Sequence, residues 1–100
     1  MVTMRSDDRE AIDRRLARIE GQVRGLRRLL QEDAYCCDVL TQISAVNSAV
    51  HQVAGAVAAM HLKHCLMSAD EGEQHPHART MTRDELTKEF EEVLKRLMKS

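Results

Sequence analysis

The chain has 100 residues, of which 31% are charged, 43% are hydrophobic and only 2% are aromatic. A chain of this length and composition predicts one domain, 1–100, with little material for a large core, so we expect an oligomer. Four glycines and one proline are too few for a turn-rich β protein or a phosphate-binding loop, which favours an all-helical fold.

The net charge of −1 conceals a basic N-terminal segment. Residues 1–28 carry eight arginines and five acidic residues, whereas residues 29–100 carry seven basic and eleven acidic residues. Arginine is suited to bidentate contacts with phosphate, although a solvated helix face explains such a run equally well. The segment is therefore a candidate for contacts with phosphate groups, and its leading candidates are Arg14, Arg15 and Arg18.

The first predicted helix covers about residues 7–31. Ser6 is its expected N-cap, and acidic residues follow in the first turn, where the helix dipole favours negative charge. Its apolar residues recur in alternating steps of four and three, which is the seam of an amphipathic helix. They are Ile12, Leu16, Ile19, Val23, Leu26 and Leu30.

The second predicted helix begins near Cys36 and reaches about residue 67. Its apolar seam again steps by threes and fours. The first helix alone is too short to cover this seam, so we expect a partner chain to lie against it. The seam consists of Cys36, Val39, Ile43, Val46, Val50, Val53, Val57 and Met60.

A polar segment over 69–81 contains Gly72 and Pro76 and is predicted as the main loop. The third predicted helix covers about residues 83–98, because Thr82 and Glu85 have the spacing of a capping box. Its apolar stripe consists of Leu86, Phe90, Val93 and Leu97. The three segments predict an all-α chain of three helices without a second domain.

Three potential ligands of a soft metal ion mark the two ends of the second helix. His61 and Cys65 are four residues apart and share a helix face. Cys36 precedes His61 by a distance of roughly 37 Å along a continuous helix, so one chain cannot bring all three together. Two antiparallel copies of the helix would place Cys36 of one chain beside His61 and Cys65 of the other, twice by symmetry.

Two thiolates and one imidazole suit a soft ion in a low-coordinate site, which favours Cu(I), whereas Zn(II) requires a fourth ligand. Three cysteines, two of them adjacent, do not form a disulfide framework, so reduced thiols are expected. The spacing alone leaves open that the cysteines are small buried hydrophobes and that His61 is a satisfied polar group.

Three blocks of this chain resemble the copper-sensing CsoR/RcnR repressor family. They read AYCCDVLTQISAV at 34–46, HLKHC at 61–65 and RLARIEGQV at 15–23, and the resemblance spans about residues 10–97. It implies an all-helical antiparallel dimer that pairs into a disc-shaped tetramer. It also implies that DNA is bound when metal is absent.

The sensing positions resemble those of the copper branch of that family. Nickel and cobalt sensors have an N-terminal His ligand, whereas residues 1–50 contain no His and Met4 stands near that position. Persulfide-sensing members lack the intervening His and formaldehyde-responsive members lack the second cysteine, but this chain has both. Cys37 stands where the family usually has an aliphatic residue, which leaves a redox role open.

The resemblance also implies that Tyr35 and Glu85 surround the metal-bound His with hydrogen bonds and link it to the third helix. The alternatives are an interfacial aromatic residue and a capping-box acid. Gln52 stands where some members have a DNA-binding Arg, so that contact is in question here. The remaining histidines are expected on the surface or in packing, although the loop with His75 and His77 is a minor candidate for a second metal site.

The leading hypothesis is a cytoplasmic transcriptional repressor that Cu(I) releases from operator DNA, so that copper-resistance genes are derepressed. One alternative is a persulfide or oxidant sensor of the same fold. Another is a DNA-independent metal-binding or thiol-storage dimer, against which the arginine-rich helix counts. The sequence shows no paired carboxylates, no nucleophile with a base and no apolar run that would span a membrane, so we expect no enzyme, small-molecule substrate or membrane partner.

Overall fold

The computed structural model describes residues 6–66 and 75–99, and these residues contain helices and turns but no strand. The predicted all-helical fold is thereby confirmed, with helix bounds close to those predicted. Met4 and Gly72 lie outside the described residues. The elements are α1 (Ser6–Gln31), α2 (Cys36–His61), a π-helical turn (Leu62–Leu66), α3 (Pro76–Arg79) and α4 (Arg83–Lys99).

The described residues divide into two compact units, 6–58 and 59–99. The first unit contains α1 and most of α2. The second contains the end of α2, the π-turn, α3 and α4. The assignment of the whole chain to one domain stays a prediction.

A Schellman motif ends α1. The Ala34 N–H donates to the Leu29 carbonyl at 2.9 Å, and the Asp33 N–H donates to the Leu30 carbonyl at 3.3 Å. Asp33 has φ of 54°, in the left-handed region that the motif requires. A side chain with a Cβ atom is disfavoured in this conformation, so the end of α1 carries local backbone strain.

The apolar seams of α1 and α2 are largely exposed in the single chain. In the first unit only Ile12 and Val53 are buried among the described residues. The large side chains that stay exposed include Leu16, Val23, Leu30, Leu40, Ile43, Val50 and Val57. By length and composition alone, the stretch Cys36–Leu66 is apolar enough to cross a membrane, a test that the core helix of a soluble protein also passes.

The second unit is built around a buried cluster of Cys65, Leu66, Ala78 and Leu86. Met81 and Phe90 pack against this cluster. The cluster joins the π-turn to α3 and α4. Its formation explains why the segment that we predicted as loop contains a helix, since burial of Ala78 stabilises the single turn of α3.

Local chemistry also favours α3. Pro76 is the first residue of α3, where its missing N–H would have no intrahelical partner in any case. His75 is the N-cap, and its Nδ1 accepts a hydrogen bond from the His77 N–H at 3.1 Å. The interpretation of Pro76 as a helix breaker was therefore wrong at this position, because proline is tolerated at the start of a helix.

We expect Asp33→Gly to raise the free energy of unfolding by about 0.5–1 kcal/mol, because glycine adopts positive φ without a Cβ penalty. Asp33→Val should lower it, since a β-branched residue is poorly accommodated there. Urea denaturation of both variants at one fixed protein concentration measures the effect. Equal stabilities of the two variants would show that the strain at Asp33 is negligible.

Candidate metal centre and nucleic-acid interface

The end of α2 and the π-turn carry two of the three predicted metal ligands. Cys65 is 1% exposed and belongs to the buried cluster of the second unit. His61 is half-buried, and its ring centroid lies 5.1 Å from that of Phe90 with an interplanar angle of 46°. Because Phe90 also packs against the cluster that contains Cys65, both predicted ligands lie near one aromatic side chain of α4.

The third predicted ligand, Cys36, is the first residue of α2. Its side chain is exposed, as is that of Cys37. Tyr35 directly precedes the helix, and its carbonyl accepts hydrogen bonds from the N–H groups of Asp38 at 2.9 Å and Val39 at 3.2 Å. The Tyr35 side chain is 70% exposed. This corner of the chain is therefore accessible to a second subunit.

Among residues 6–66 and 75–99, no three His, Cys, Asp or Glu side chains come together to hold a metal ion. The predicted donors at the two ends of α2 are separated by a helix of 26 residues, so each end supplies only part of the ligand set. A site that includes Cys36, His61 and Cys65 stays a prediction that requires a second chain. The minor candidate at His75 and His77 gains no support, because the Nδ1 of His75 already caps α3.

Glu85 forms the capping box that begins α4. Its Oε1 accepts a hydrogen bond from the Thr82 N–H at 2.8 Å, and its own N–H donates to the Thr82 Oγ1 at 3.1 Å. Glu85 is exposed, and no hydrogen bond joins it to His61 in the part of the chain that the structure describes. The interpretation of Glu85 as a capping residue is thus confirmed, whereas its link to a metal-bound His stays a prediction.

Arg15 and Arg18 line a concavity of about 160 Å³ between α1 and α2. They share it with Gln22 of α1 and with Gln52 of α2. Residues 15–22 precede the short connection between the helices by about as far as residues 49–52 follow it, so the two helices run in opposite directions. Arg14 is also exposed but lines a different concavity, whose described lining residues all belong to α1. The arrangement places two guanidinium groups and two carboxamides on one accessible surface.

Sequence reasoning did not identify Phe90 or the π-turn as parts of the candidate site. Phe90 is the single phenylalanine of the chain and was assigned only to the apolar stripe of the third predicted helix. Its contact with His61 spans 29 positions of the sequence, and no helical periodicity extends across the intervening loop. π-turns are rare and occur frequently at functional sites, but they have no reliable sequence pattern. His64, within this turn, is buried, with 3% of its surface exposed.

Comparison with known proteins gives consistent matches along the chain. The family model described as metal-sensitive transcriptional repressor matches residues 8–97. The copper-sensing transcriptional repressor RicR of Mycobacterium tuberculosis is 57% identical over 56 residues, which are 56% of this chain and 58% of that protein. The copper-sensing transcriptional repressor CsoR of Bacillus subtilis is 44% identical over 72 residues, covering 69% of this chain and 71% of that protein.

A solved structure supports the same relationship at the level of the fold. The Cu(I)-bound copper-sensing repressor CsoR from Geobacillus thermodenitrificans superposes with a TM-score of 0.80 and 33% sequence identity. The match covers 98% of this chain and 94% of that one. The helical arrangement described above is therefore that of a solved repressor structure.

Proposed function

The chain belongs to the family of metal-sensitive transcriptional repressors, and on this basis we propose that it is a Cu(I)-responsive repressor. It binds double-stranded operator DNA in its metal-free form and releases it when Cu(I) binds, which derepresses copper-resistance genes. The carrying observation is the match to copper-sensing repressors, one of them 57% identical over the matched segment. A repressor of this kind is not an enzyme, and its DNA partner implies a cytoplasmic location.

The proposed metal ligands are Cys36 of one subunit and His61 and Cys65 of another. The donor set fits the ion, because two thiols and an imidazole are the ligand types that Cu(I) prefers in low-coordinate sites. When bound, Cu(I) supplies a soft cation that neutralises the thiolates. Exposure of Cys36 at the start of α2 leaves it available to a neighbouring subunit. The proximity of both His61 and Cys65 to Phe90 supports their use as a pair.

The proposed assembly is an antiparallel dimer that pairs into a tetramer. Its support is the exposed apolar seam of α2, where Ile43 is 46% and Val50 is 43% exposed in the single chain. Burial of such side chains contributes about 1.5–3 kcal/mol each. The two-fold symmetry of an antiparallel pair produces two equivalent metal sites.

The proposed DNA interface comprises Arg14, Arg15 and Arg18 of α1. The concavity between α1 and α2 supports this proposal, because Arg15 and Arg18 lie there beside Gln22 and Gln52. Guanidinium groups contact phosphates or guanine edges, and carboxamides contact adenine edges. Gln52 therefore joins the proposed interface as a neutral hydrogen-bonding group, in place of an additional positive charge.

The proposed coupling between metal and DNA runs through Tyr35, His61 and Glu85. When one nitrogen of His61 binds metal, the other is able to donate a hydrogen bond. The Oε1 of Glu85 already accepts a hydrogen bond from the Thr82 N–H. The second carboxylate oxygen could therefore accept a hydrogen bond from His61 without loss of the helix cap. Tyr35 is proposed to complete this network and to bring α4 toward the site.

A second candidate is a repressor of the same fold that senses persulfide or an oxidant. It is favoured by Cys36 and Cys37, two adjacent exposed thiols. In this function His61 has no ligand role, so His61→Ala should retain regulation. X-ray absorption of Cu(I)-loaded protein separates the two candidates, because it reports whether an imidazole accompanies the sulfur ligands. The DNA-independent storage dimer is disfavoured by membership of a repressor family.

Mixed dimers test the intersubunit site. A Cys36→Ala chain and a His61→Ala/Cys65→Ala chain should each bind Cu(I) weakly alone, since each lacks part of the ligand set. Their mixture should recover one intact high-affinity site per mixed dimer, measured by competition with a Cu(I) chelator. Native mass spectrometry of the mixture serves as the control for subunit exchange, because it counts the mixed dimers directly. A mixture that recovers no high-affinity binding would contradict the antiparallel model.

Neutralisation of Arg15 and Arg18 tests the DNA interface. We expect Arg15→Gln/Arg18→Gln to weaken operator binding and to reduce the dependence of log K on log salt by about 0.9 for each phosphate that is no longer neutralised. Lys88→Gln/Lys95→Gln, on the exposed surface of α4, is the control of equal charge change. Fluorescence anisotropy over a range of salt concentrations measures both quantities. If the two double variants behave alike, the DNA contacts lie elsewhere.

Two substitutions of Glu85 separate capping from coupling. Glu85→Ala should lose the hydrogen bond from the Thr82 N–H, costing about 0.5–1.5 kcal/mol of stability, whereas Glu85→Gln should retain it because Gln is also found at this position. If the coupling needs the carboxylate, Glu85→Gln should bind Cu(I) and DNA normally and yet show a reduced effect of Cu(I) on DNA affinity. Parent-like release from DNA by Glu85→Gln would mean that the negative charge has no part in the coupling.

A further inference from the structure

The contact between His61 and Phe90 has the geometry of a specific ring pair. The centroid distance of 5.1 Å and the interplanar angle of 46° fall within the range in which aromatic rings attract each other beyond simple burial. Within the described residues the imidazole makes no side-chain hydrogen bond. Packing against Phe90 is thus the side-chain contact that the described residues show for the His61 ring.

Phe90 has a second set of neighbours. It packs against the buried cluster of Cys65, Leu66, Ala78 and Leu86. Leu86 lies one helical turn before Phe90 and is 4% exposed, so this part of α4 is firmly seated in the cluster. A single side chain thus contacts the ring of one proposed ligand and the surroundings of the other.

His61 also needs external support because of its position. It is the last residue of α2, and the π-turn begins at the next residue. A π-turn departs from the regular α-helical hydrogen-bond pattern, so it orients the following side chains differently from a continuing α-helix. The four-residue spacing of His61 and Cys65 therefore does not by itself define the orientation of their donor atoms. Contacts from α4 are expected to contribute to that orientation.

We propose that Phe90 is a positioning residue of the metal site: its ring holds the imidazole of His61 in place and joins it to the cluster that buries Cys65. The inference rests on the proposed function, in which these two residues are ligands. Outer contacts that orient a ligating His contribute to metal affinity. Phe90 does so by ring packing, in contrast to the hydrogen bonds proposed for Tyr35 and Glu85.

Three variants test the role of the ring. Phe90→Leu keeps an apolar, helix-compatible side chain but removes the ring. Phe90→Tyr retains the ring, and the half-buried position leaves the hydroxyl a path to solvent. Val93→Ala, on the same apolar stripe and 47% exposed, is the control for truncation of α4. Phe90→Leu should bind Cu(I) more weakly, by up to about 12-fold, because the freed imidazole must then be ordered when the metal binds and the energy of an aromatic pair sets the upper limit of this cost. The other two variants should match the parent.

Two spectroscopic measurements separate positioning from general stability. In metal-free protein, the imidazole proton signals of His61 should lose their ring-current shift in Phe90→Leu and retain it in Phe90→Tyr and Val93→Ala. With Cu(I) bound, the outer-shell imidazole scattering in X-ray absorption should decrease in Phe90→Leu only. Parent-like Cu(I) affinity and unchanged imidazole signals in Phe90→Leu would overturn the inference while leaving the proposed function intact.

A measurement on the parent protein covers the case in which Phe90→Leu does not fold. Nuclear Overhauser contacts between the His61 and Phe90 rings should be present without metal and persist with Cu(I), and their absence in both states overturns the inference. Failure of the proposed function has a different signature, because the parent itself would then fail to bind Cu(I) or to release DNA.

Discussion

The continuity of α2 is the constraint on which the proposed chemistry depends. Cys36 and His61 are the first and the last residue of one 26-residue helix. The length of helix that separates these donors within one chain would make them complementary in the proposed antiparallel dimer. A metal ion bound by ligands from both chains would stabilise the pairing of subunits as well as the fold of each one. Such a dependence on pairing is required of a ligand that regulates a DNA-binding surface formed by several subunits.

The small interior of the single chain also indicates that subunits pair. The side chains buried among the described residues are few, and most are small or of medium size: Ile12, Val53, His64, Cys65, Leu66, Ala78 and Leu86. Long amphipathic helices with exposed seams are stabilised by packing against other helices. The proposed tetramer thus supplies the apolar burial that 100 residues with one phenylalanine and one tyrosine cannot supply alone.

The second unit combines a capped helix with a compact cluster. The capping box of Thr82 and Glu85 defines where α4 begins. From that start, one turn brings Leu86 into the cluster and the next brings Phe90 to His61. Helix capping, cluster packing and the proposed metal ligation therefore act on one short helix segment. When two sites share such a segment, a ligand bound at one site can change the free energy of binding at the other.

The sequence by itself determined the three long helices, because their apolar periodicity is a local property of each segment. It also indicated the candidate metal ligands, since Cys36, His61 and Cys65 are chemically distinctive, and the capping box at Glu85, since its partners are three positions apart. The helix bounds agree with these expectations, except that α2 ends at His61 and a π-turn replaces its predicted last turns. The pairing of ligands between chains stays a prediction, because it depends on subunits that a single chain does not contain.

Only the tertiary structure decided the features that depend on contacts between distant segments. The turn of α3 forms inside a predicted loop because Ala78 is buried against residues contributed by the π-turn and α4. The ring contact of Phe90 with His61 and the shared concavity of Arg15 and Gln52 likewise arise from packing across loops. Periodicity describes which face of a helix is apolar, but it does not specify which neighbour that face meets. That choice is made by the packing of the whole unit.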